Sequence, residues 1–384
     1  MAILDHGSYV VNGSPQAAAP VKTSTCLAVV LLSADATTAA ARVCTSVAQV
    51  AALVDTMDIE DEAVALATYI FAAGVPEIVA IVADDTTDAA SALKSAYRTL
   101  HRKINLVWTY ATGNTATTAN ALAIATAAKD IIGRQSYDAM VYADMPWDAG
   151  WTDADATTAA AIATASRALA SHPKNLALHA AKVGIAKGAS TLTIGNALPH
   201  AVRQVLIDAQ NADVPFEGAS NYELPGNIAA ISTAFSREDG NVCNAAGVDV
   251  IIYDDGYKLW GDYLSSYDLE GTTDADGIFI QQQRMLQYLR ANFVAQWKSS
   301  IDRAFTRQLA DTIIATEQAK LDRLVARGAL IGNPRIEFLP ADNPNSEILQ
   351  GHFFWRMAVS PSLPMVSAKL SVAFTDSGYA ALFE

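Results

Sequence analysis

The chain has 384 residues, a formal net charge of −14 and 51% apolar residues. This apolar content can form a sizeable core and excludes a wholly disordered chain, although 74 residues are alanine, whose side chain buries little area. The acidic balance argues against a broad phosphate-binding surface, so we expect no nucleic-acid partner.

The sequence indicates neither export nor insertion into a membrane. The N-terminus lacks the basic and then apolar stretch of a signal peptide. The longest apolar passage, 64–83, is interrupted by Gly74 and Pro76, which predicts a helix, a turn and a strand instead of a membrane span. The three cysteines have no CxxC spacing, which favours neither a disulfide framework nor a zinc site and suits a reducing, cytoplasmic environment.

The first 225 residues divide into an arm and an α/β domain. Residues 1–22 have little helical periodicity and contain several glycines and prolines, which predicts an extended arm. Apolar runs then alternate with helical stretches, which predicts a parallel sheet covered by helices over 23–225. The predicted strands are 26–32, 77–82, 104–110 and 139–143, and the predicted helices are 47–73, 89–101, 117–132 and 156–170.

A second domain is predicted beyond residue 225, because glycines and prolines make 172–225 irregular. Two β-prone runs, 248–253 and 257–261, flank Asp254-Asp255-Gly256, a strong hairpin signal since Asp and Gly tolerate positive φ. The later predicted elements are helices 281–298 and 305–327, ended by Gly328, and strands 335–339, 352–359 and 368–374. We assign 226–362 to an inner C-terminal domain and 363–384 to a C-terminal arm. The fold class is α/β, and α+β overall.

No chemical motif in the sequence is complete. The glycine-rich stretch 183–190 lacks the Gly-Lys-Ser/Thr of a phosphate loop, and no GxSxG elbow occurs. The six histidines are scattered, and the acidic doublets at 84–85 and 254–255 fall at a strand end and in a turn. We therefore predict no catalytic residue, no metal site and no cofactor.

Charge is distributed unevenly along the chain. Segment 284–327 has eight basic and four acidic side chains, a net +4, which leaves −18 for the rest. A basic helical pair on an acidic protein suggests an electrostatically complementary partner. The alternative is a solvated helix face with ordinary i,i+4 ion pairs, and the sequence leaves both open.

Segment 244–262, NAAGVDVIIYDDGYKLWGD, resembles the G-V…G…W-G stretch of contractile phage tail sheath proteins, a family that includes pyocin sheaths. The matching positions are Gly247, Gly256, Trp260 and Gly261. The order of the following elements, two helices, strands and a proline-containing link, is also similar to that family. One departure is Asp262-Tyr263-Leu264, where many relatives have an Arg-Thr.

The resemblance implies a structural virion subunit, not an enzyme. Such subunits stack as hexameric rings around an inner tail tube, assemble in the host bacterial cytoplasm, and contract to drive the tube through the host envelope. The implied partners are other copies of the chain, the tail tube protein, the baseplate and the tail terminator, with no membrane insertion.

The resemblance also implies roles for particular residues. Terminal arms would complete a small sheet on neighbouring subunits, and an inner helix of the C-terminal domain would meet the tube. The candidate arm strands contain Tyr9, Val10, Val11, Leu370, Val372 and Phe374, and the candidate tube contacts are Lys298, Arg303 and Arg307.

Two other classes of protein fit the sequence less well. One is a different tail component, such as a terminator or baseplate protein. The other is an enzyme or small-molecule binder on the α/β domain, because the strand ends of such a sheet can hold a ligand. A fold alone does not confer activity, and no polar constellation in the sequence supports one.

Overall fold

The computed structural model describes residues 24–111, 139–145, 153–271 and 273–382, and its main element is an eight-stranded sheet. Six parallel strands form its centre; in spatial order they are β3 (Ile78–Ala83), β1 (Leu27–Leu32), β4 (Leu106–Ala111), β5 (Met140–Asp144), β6 (Leu176–His179) and β10 (Val248–Tyr253). Antiparallel strands β2 (Ala40–Cys44) and β11 (Tyr257–Trp260) close the two edges. The predicted α/β class is confirmed.

Helices cover both faces of this sheet, which is why every residue of β1, β3 and β4 is buried. The helices up to the hairpin are α1 (Val47–Ala51), α2 (Glu60–Ala72), α3 (Thr86–Leu100), α4 (Ala156–Arg167), α5 (Ala197–Gln210) and α6 (Arg237–Asn244). Helices α2 and α5 pack on one face of the sheet and form one hydrophobic core with it. Helices α3, α4 and α6 pack on the opposite face and form a second core. A three-stranded sheet packs beside α2; its strands are β7 (Lys182–Lys187), β8 (Ser190–Gly195) and β9 (Ile228–Ile231).

Several predicted elements change in the structure. The predicted helix 47–73 is two helices separated by turns, and the stretch 172–225, predicted to be irregular, contains β6, β7, β8 and α5. The predicted helix 117–132 lies outside the described residues. None of the helices within the described ranges is long and apolar enough to cross a bilayer.

The main sheet continues across the predicted domain boundary at residue 225. Val248 and Asp249 of β10 pair in parallel with Leu178 and His179 of β6, and β10 in turn pairs with β11. The apolar run 248–253 therefore forms a strand within the sheet of the α/β domain. The boundary at 225 does not separate two sheets, and a division into 23–225 and 226–362 stays a prediction about the assembled protein.

The C-terminal part forms a smaller core of its own. It contains α7 (Ile280–Trp297), α8 (Arg307–Ala326), β12 (Arg335–Glu337), α9 (Asn345–Ile348) and β13 (Arg356–Ala358). Met285, Leu321 and Leu330 are buried together there. Helix α8 ends one residue before Arg327, and Gly328 follows with φ +82°, the left-handed conformation typical of a glycine that ends a helix. Strands β12 and β13 pair antiparallel and are shorter than predicted.

Candidate assembly surfaces and the buried polar interior

The C-terminal segment 363–374 is mostly exposed and forms no strand in the single chain, although a strand was predicted over 368–374. The chain is anchored up to Ser362, whose backbone N–H donates to Ala329 O at 3.1 Å and whose carbonyl accepts from Gln281 Nε2 at 3.1 Å. Beyond that residue no strand of the described chain pairs with the segment. Leu370, Val372 and Phe374 are 88%, 82% and 81% exposed. Burying such a side chain contributes about 1.5–3 kcal/mol, and this chain alone does not bury these three.

The two-stranded sheet β12–β13 has unpaired edges within the described residues. Ile336 of β12 lies opposite Met357 of β13. An apolar groove borders the sheet and is lined by Leu286, Leu289, Phe293, Val294, Trp355 and Val359. Because an isolated two-stranded sheet is only marginally stable in water, this sheet is a candidate acceptor for a further strand.

The two arms leave the body near the same loop. Ser24, where the described chain begins, donates its backbone N–H to Asp213 Oδ1 at 2.9 Å. Ser362 Oγ lies 3.5 Å from the carbonyl oxygen of Phe216. Tyr9, Val10 and Val11 lie outside the described residues. The loop after α5 therefore holds the points where both predicted arms begin.

The three candidate tube contacts are exposed and lie in or beside the connection between α7 and α8. Lys298 begins a short 3-10 turn, Arg303 follows it, and Arg307 is the first residue of α8. Arg307 Nε pairs with Asp311 Oδ1 at 3.0 Å. Burial, and secondarily the charge of Lys298, lowers the pKa of Lys103. Lys103 thus adds to the positive charge near this connection, although its position in the sequence does not predict this.

The residues that match the sheath family lie at the turn and at the ends of the β10–β11 hairpin. Gly247 precedes β10, Gly256 lies in the turn, and Gly261 follows β11 with φ +117°. A Cβ at Gly261 would lie 2.0 Å from Asp249 Oδ1, so only glycine fits there without displacement. Trp260 Nε1 donates to Asn241 Oδ1 at 2.9 Å, and Arg237 lies 5.4 Å from the centre of the Trp260 ring.

A buried ion pair joins the C-terminal helices to the sheet. Arg284 of α7 forms two hydrogen bonds to the carboxylate of Asp208 on α5, and their side chains are 4% and 1% exposed. Thr25 Oγ1 also donates to Asp208 Oδ2 at 2.8 Å, and Gln204 Nε2 donates to Oδ1 at 3.0 Å. Three distant parts of the chain therefore meet at one carboxylate.

A row of polar side chains crosses three neighbouring central strands, at the carboxyl ends of β5 and β6 and at the start of β10. Asp144 of β5 is the register neighbour of His179 of β6, which is the neighbour of Asp249 of β10. All three side chains lie next to the first turn of α5, where Ala197 donates its backbone N–H to Asp144 Oδ1 at 2.9 Å. Burial raises the pKa of Asp144 to about 6 and raises the pKa of Asp249 well above its usual range.

Sequence spacing does not predict this polar row, because its members are far apart in the chain. The signal present in the sequence was a polar residue inside or ending a buried apolar run, as in LALH at 176–179 and GVDVII at 247–252. Such a side chain is buried with the strand and needs a partner. Its partners come from strand pairing, which sequence spacing does not give.

Comparison with known proteins finds tail sheath proteins by sequence. The chain is 32% identical over 146 residues, 38% of its length, to a major tail sheath protein of Serratia phage KSP20. It is 28% identical over 163 residues, 41% of its length, to a protein described as a prophage major tail sheath protein of Pseudomonas aeruginosa strain UCBPP-PA14. The matches span only 35% and 40% of those relatives. No protein-family profile matches the chain.

Solved structures match along nearly the whole chain. The contracted PVC sheath complex of an extracellular contractile injection system aligns with a TM-score of 0.71 and 13% identity, covering 98% of this chain and 100% of that one. The contracted helical sheath of the anti-feeding prophage aligns with a TM-score of 0.68 and 16% identity, covering 96% and 98%. Sequence and fold together confirm the resemblance to the contractile tail sheath family.

Proposed function

We propose that the chain is a structural subunit of a contractile tail sheath. The observation that carries this is segment 363–374, a strand-like sequence whose apolar side chains are exposed and which has no strand partner in the described chain. The sequence matches to tail sheath proteins and the sheath-like fold agree with it. Subunits would polymerise as stacked hexameric rings around an inner tail tube, as a structural part of a virion tail assembled in the host bacterial cytoplasm.

The joint between subunits is strand addition. An arm of one subunit would pair with an open edge of β12–β13 on a neighbour, and Leu370, Val372 and Phe374 would enter the apolar groove beside that sheet. Backbone hydrogen bonds supply the affinity in this kind of joint, and alternate side chains supply the specificity. A head-to-tail contact of this type generates a helical polymer when it does not close on itself.

Contraction would keep the folded part of each subunit intact and change how the subunits are arranged. The buried Arg284–Asp208 pair and the shared sheet make the body a single packed unit, whereas the arms start at the loop after α5 and act as hinges. Subunits would rotate as rigid bodies from a metastable extended lattice into a more stable contracted one, which drives the tube through the host envelope.

The tube contact would be electrostatic. Lys298, Arg303 and Arg307 are exposed on the most basic part of an acidic chain. Reversing all three to Glu should weaken assembly on the tube, and assembly of the native chain should weaken as salt rises because exposed charges are screened. Reversing Arg42, Lys94 and Arg167, which are exposed on the α/β domain, changes the net charge equally and should leave tube binding intact. Normal tube binding by the first triple variant would exclude this contact.

Negative-stain microscopy of the purified chain tests the function directly. Long hollow tubes support a sheath subunit, isolated rings support a tail terminator, and featureless particles support an enzyme or binding protein. The baseplate and the terminator would bind the two ends of such a tube. Deleting residues 1–20 should leave a folded monomer that does not form tubes, and tubes from that truncated chain would refute the role of the N-terminal arm.

A further inference from the structure

The side chains of His179, His200 and Asp249 converge in the interior. His179 ends β6, Asp249 is its register neighbour in β10, and His200 lies in the first turn of α5. One nitrogen or oxygen atom from each of the three lies within 4.8 Å of the others. Two strands and a helix that are far apart in sequence thus bring two imidazoles and one carboxylate to a single point.

The atoms that face one another there lack partners. Both ring nitrogens of His179, Nε2 of His200 and Oδ2 of Asp249 are buried without a hydrogen-bond partner in the part of the chain that is described. All three residues are at most 1% exposed. Buried polar atoms in folded proteins are nearly always paired, so a group of four unpaired atoms in one place indicates a bound ion or an ordered water.

We propose that His179, His200 and Asp249 bind one divalent transition-metal ion, with Zn²⁺ the ion that best suits them. Two imidazoles and a carboxylate are a common donor set for zinc, whose fourth position is completed by a water or a further side chain. This departs from the expectation of no metal site, which rested on the spacing of histidines along the sequence.

Surrounding groups hold the three side chains in place. The other carboxylate oxygen of Asp249, Oδ1, accepts from the backbone N–H of Tyr263 at 3.1 Å, which leaves Oδ2 for the ion. The ring of Tyr142 stacks on that of His179 with 5.4 Å between centroids. Such supporting contacts orient metal ligands. Without a cation, burial and the nearby carboxyl of Asp262 disfavour an ionised Asp249, whereas a dication favours it.

The site would be structural. It ties β6, β10 and α5 together across the chain, and its burial means that the ion is taken up as the chain folds. The exposed group Asp84, Asp85 and Asp88 differs, because it is an acidic cluster at the start of α3 with all three side chains in solvent. It carries no comparable indication of a ligand.

The test uses the full chain, unfolded in guanidinium with a chelator and refolded with or without Zn²⁺. After desalting, we expect one zinc per chain by mass spectrometry and a Tm a few degrees above that of the zinc-free chain. Refolding with Co²⁺ should give the intense visible absorption of a four-coordinate ion, and X-ray absorption of the zinc form should indicate two imidazole ligands.

The variants His200→Gln and Asp249→Asn should each lower zinc affinity at least about tenfold and remove the Tm difference. His172→Gln, which changes a histidine outside the three, is the matched control and should bind zinc normally. No retained zinc, or equal retention by the control and both variants, would overturn the proposal. A third result would also overturn it. If zinc does not stabilise the wild type, and Asp249→Asn is as stable as the zinc-free wild type, the three side chains form a neutral, hydrated cluster and not a metal site. If a variant fails to fold, the wild-type cobalt and X-ray spectra decide.

Discussion

The guanidinium of Arg284 and the carboxylate of Asp208 form a doubly hydrogen-bonded ion pair that is almost completely removed from solvent. Arg284 belongs to α7 and Asp208 to α5, so the pair fixes the C-terminal helices against the main sheet. Two more donors, Thr25 and Gln204, reach the same carboxylate. A buried charge of either sign is tolerated here because its partner and its hydrogen bonds are all in place.

Replacing Arg284 with Met should therefore lower the free energy of unfolding by roughly 3–5 kcal/mol, because Asp208 is left buried without its counter-ion. Denaturant unfolding of the monomer measures this. Arg307→Met is the matched control: it removes an i,i+4 ion pair to Asp311 that is largely in solvent, and should change stability by at most about 0.5 kcal/mol. Equal losses in the two variants would show that burial of the pair contributes nothing.

The carboxyl of Asp262 should make stability depend on pH. Burial raises its pKa to about 7 from the usual 3.8, against the opposing effects of the Gln281 N–H and Arg284. The folded chain holds this proton more tightly than the unfolded chain. Its contribution to stability is therefore fully present below about pH 4 and is lost as the pH rises to about 7.

Asp262→Asn cannot ionise and should remove this dependence. As the pH rises from about 4 to about 7, the free energy of unfolding of the wild type should fall by on the order of 4 kcal/mol more than that of the variant. Above about pH 7 the difference between the two chains should stay constant. His200, whose pKa is lowered to about 3 by burial, has the opposite slope but is present in both chains and cancels. Unfolding curves of the two proteins across this range, both measured with a chelator so that no metal ion is bound, give the difference. A difference that does not change with pH would contradict the raised pKa.

Two glycines of the hairpin should respond differently to the same substitution. Both have positive φ, +117° at Gly261 and +134° at Gly256. A Cβ at Gly261 would overlap Asp249, whereas at Gly256 it would meet nothing within 4 Å. Gly256→Ala should therefore lose only about 1–3 kcal/mol of stability from backbone strain, and Gly261→Ala should lose more. Thermal unfolding of both variants tests this, and equal losses would mean that Asp249 moves away without penalty.

The central strands and the hairpin could be predicted from the sequence. Runs such as 27–32 and 78–83 are apolar at every position, which is typical of a strand covered on both faces, and Asp-Asp-Gly marks the turn after β10. Helix α5 was missed because Pro199 and His200 lie in its first turn and interrupt the apolar pattern, although proline is tolerated there. Edge strand β2 was missed because most of its residues are not buried.

The arm was predictable from the sequence, whereas the polar interior was not. The alternation of Leu370, Val372 and Phe374 predicted a strand with one apolar face, and the structure leaves that segment without a strand partner in the described chain. The polar interior was not predictable from spacing, since His179 and Asp249 meet only through the pairing of β6 with β10. Pairing of distant strands depends on the whole fold and not on local periodicity.

The apolar face of the C-terminal arm should be needed for polymerisation and not for folding. Val372→Asp with Phe374→Asp places two charges where the proposed neighbour buries apolar side chains, and should abolish tubes. The monomer should unfold at the same denaturant concentration as the wild type, because both side chains are over 80% exposed in the single chain. Sedimentation and microscopy measure polymerisation, and denaturant unfolding measures stability.

The matched control carries the same two charges on the alternate positions, Ser371→Asp with Ala373→Asp. In a strand these two residues would point to the opposite side from Val372 and Phe374, so the two charges should reduce tube formation less. If both double variants lose tubes equally, the segment is buried on both faces or acts only through its backbone. If both keep forming tubes, segment 363–374 is not the strand that joins neighbouring subunits, and the joint must be sought in residues 1–22.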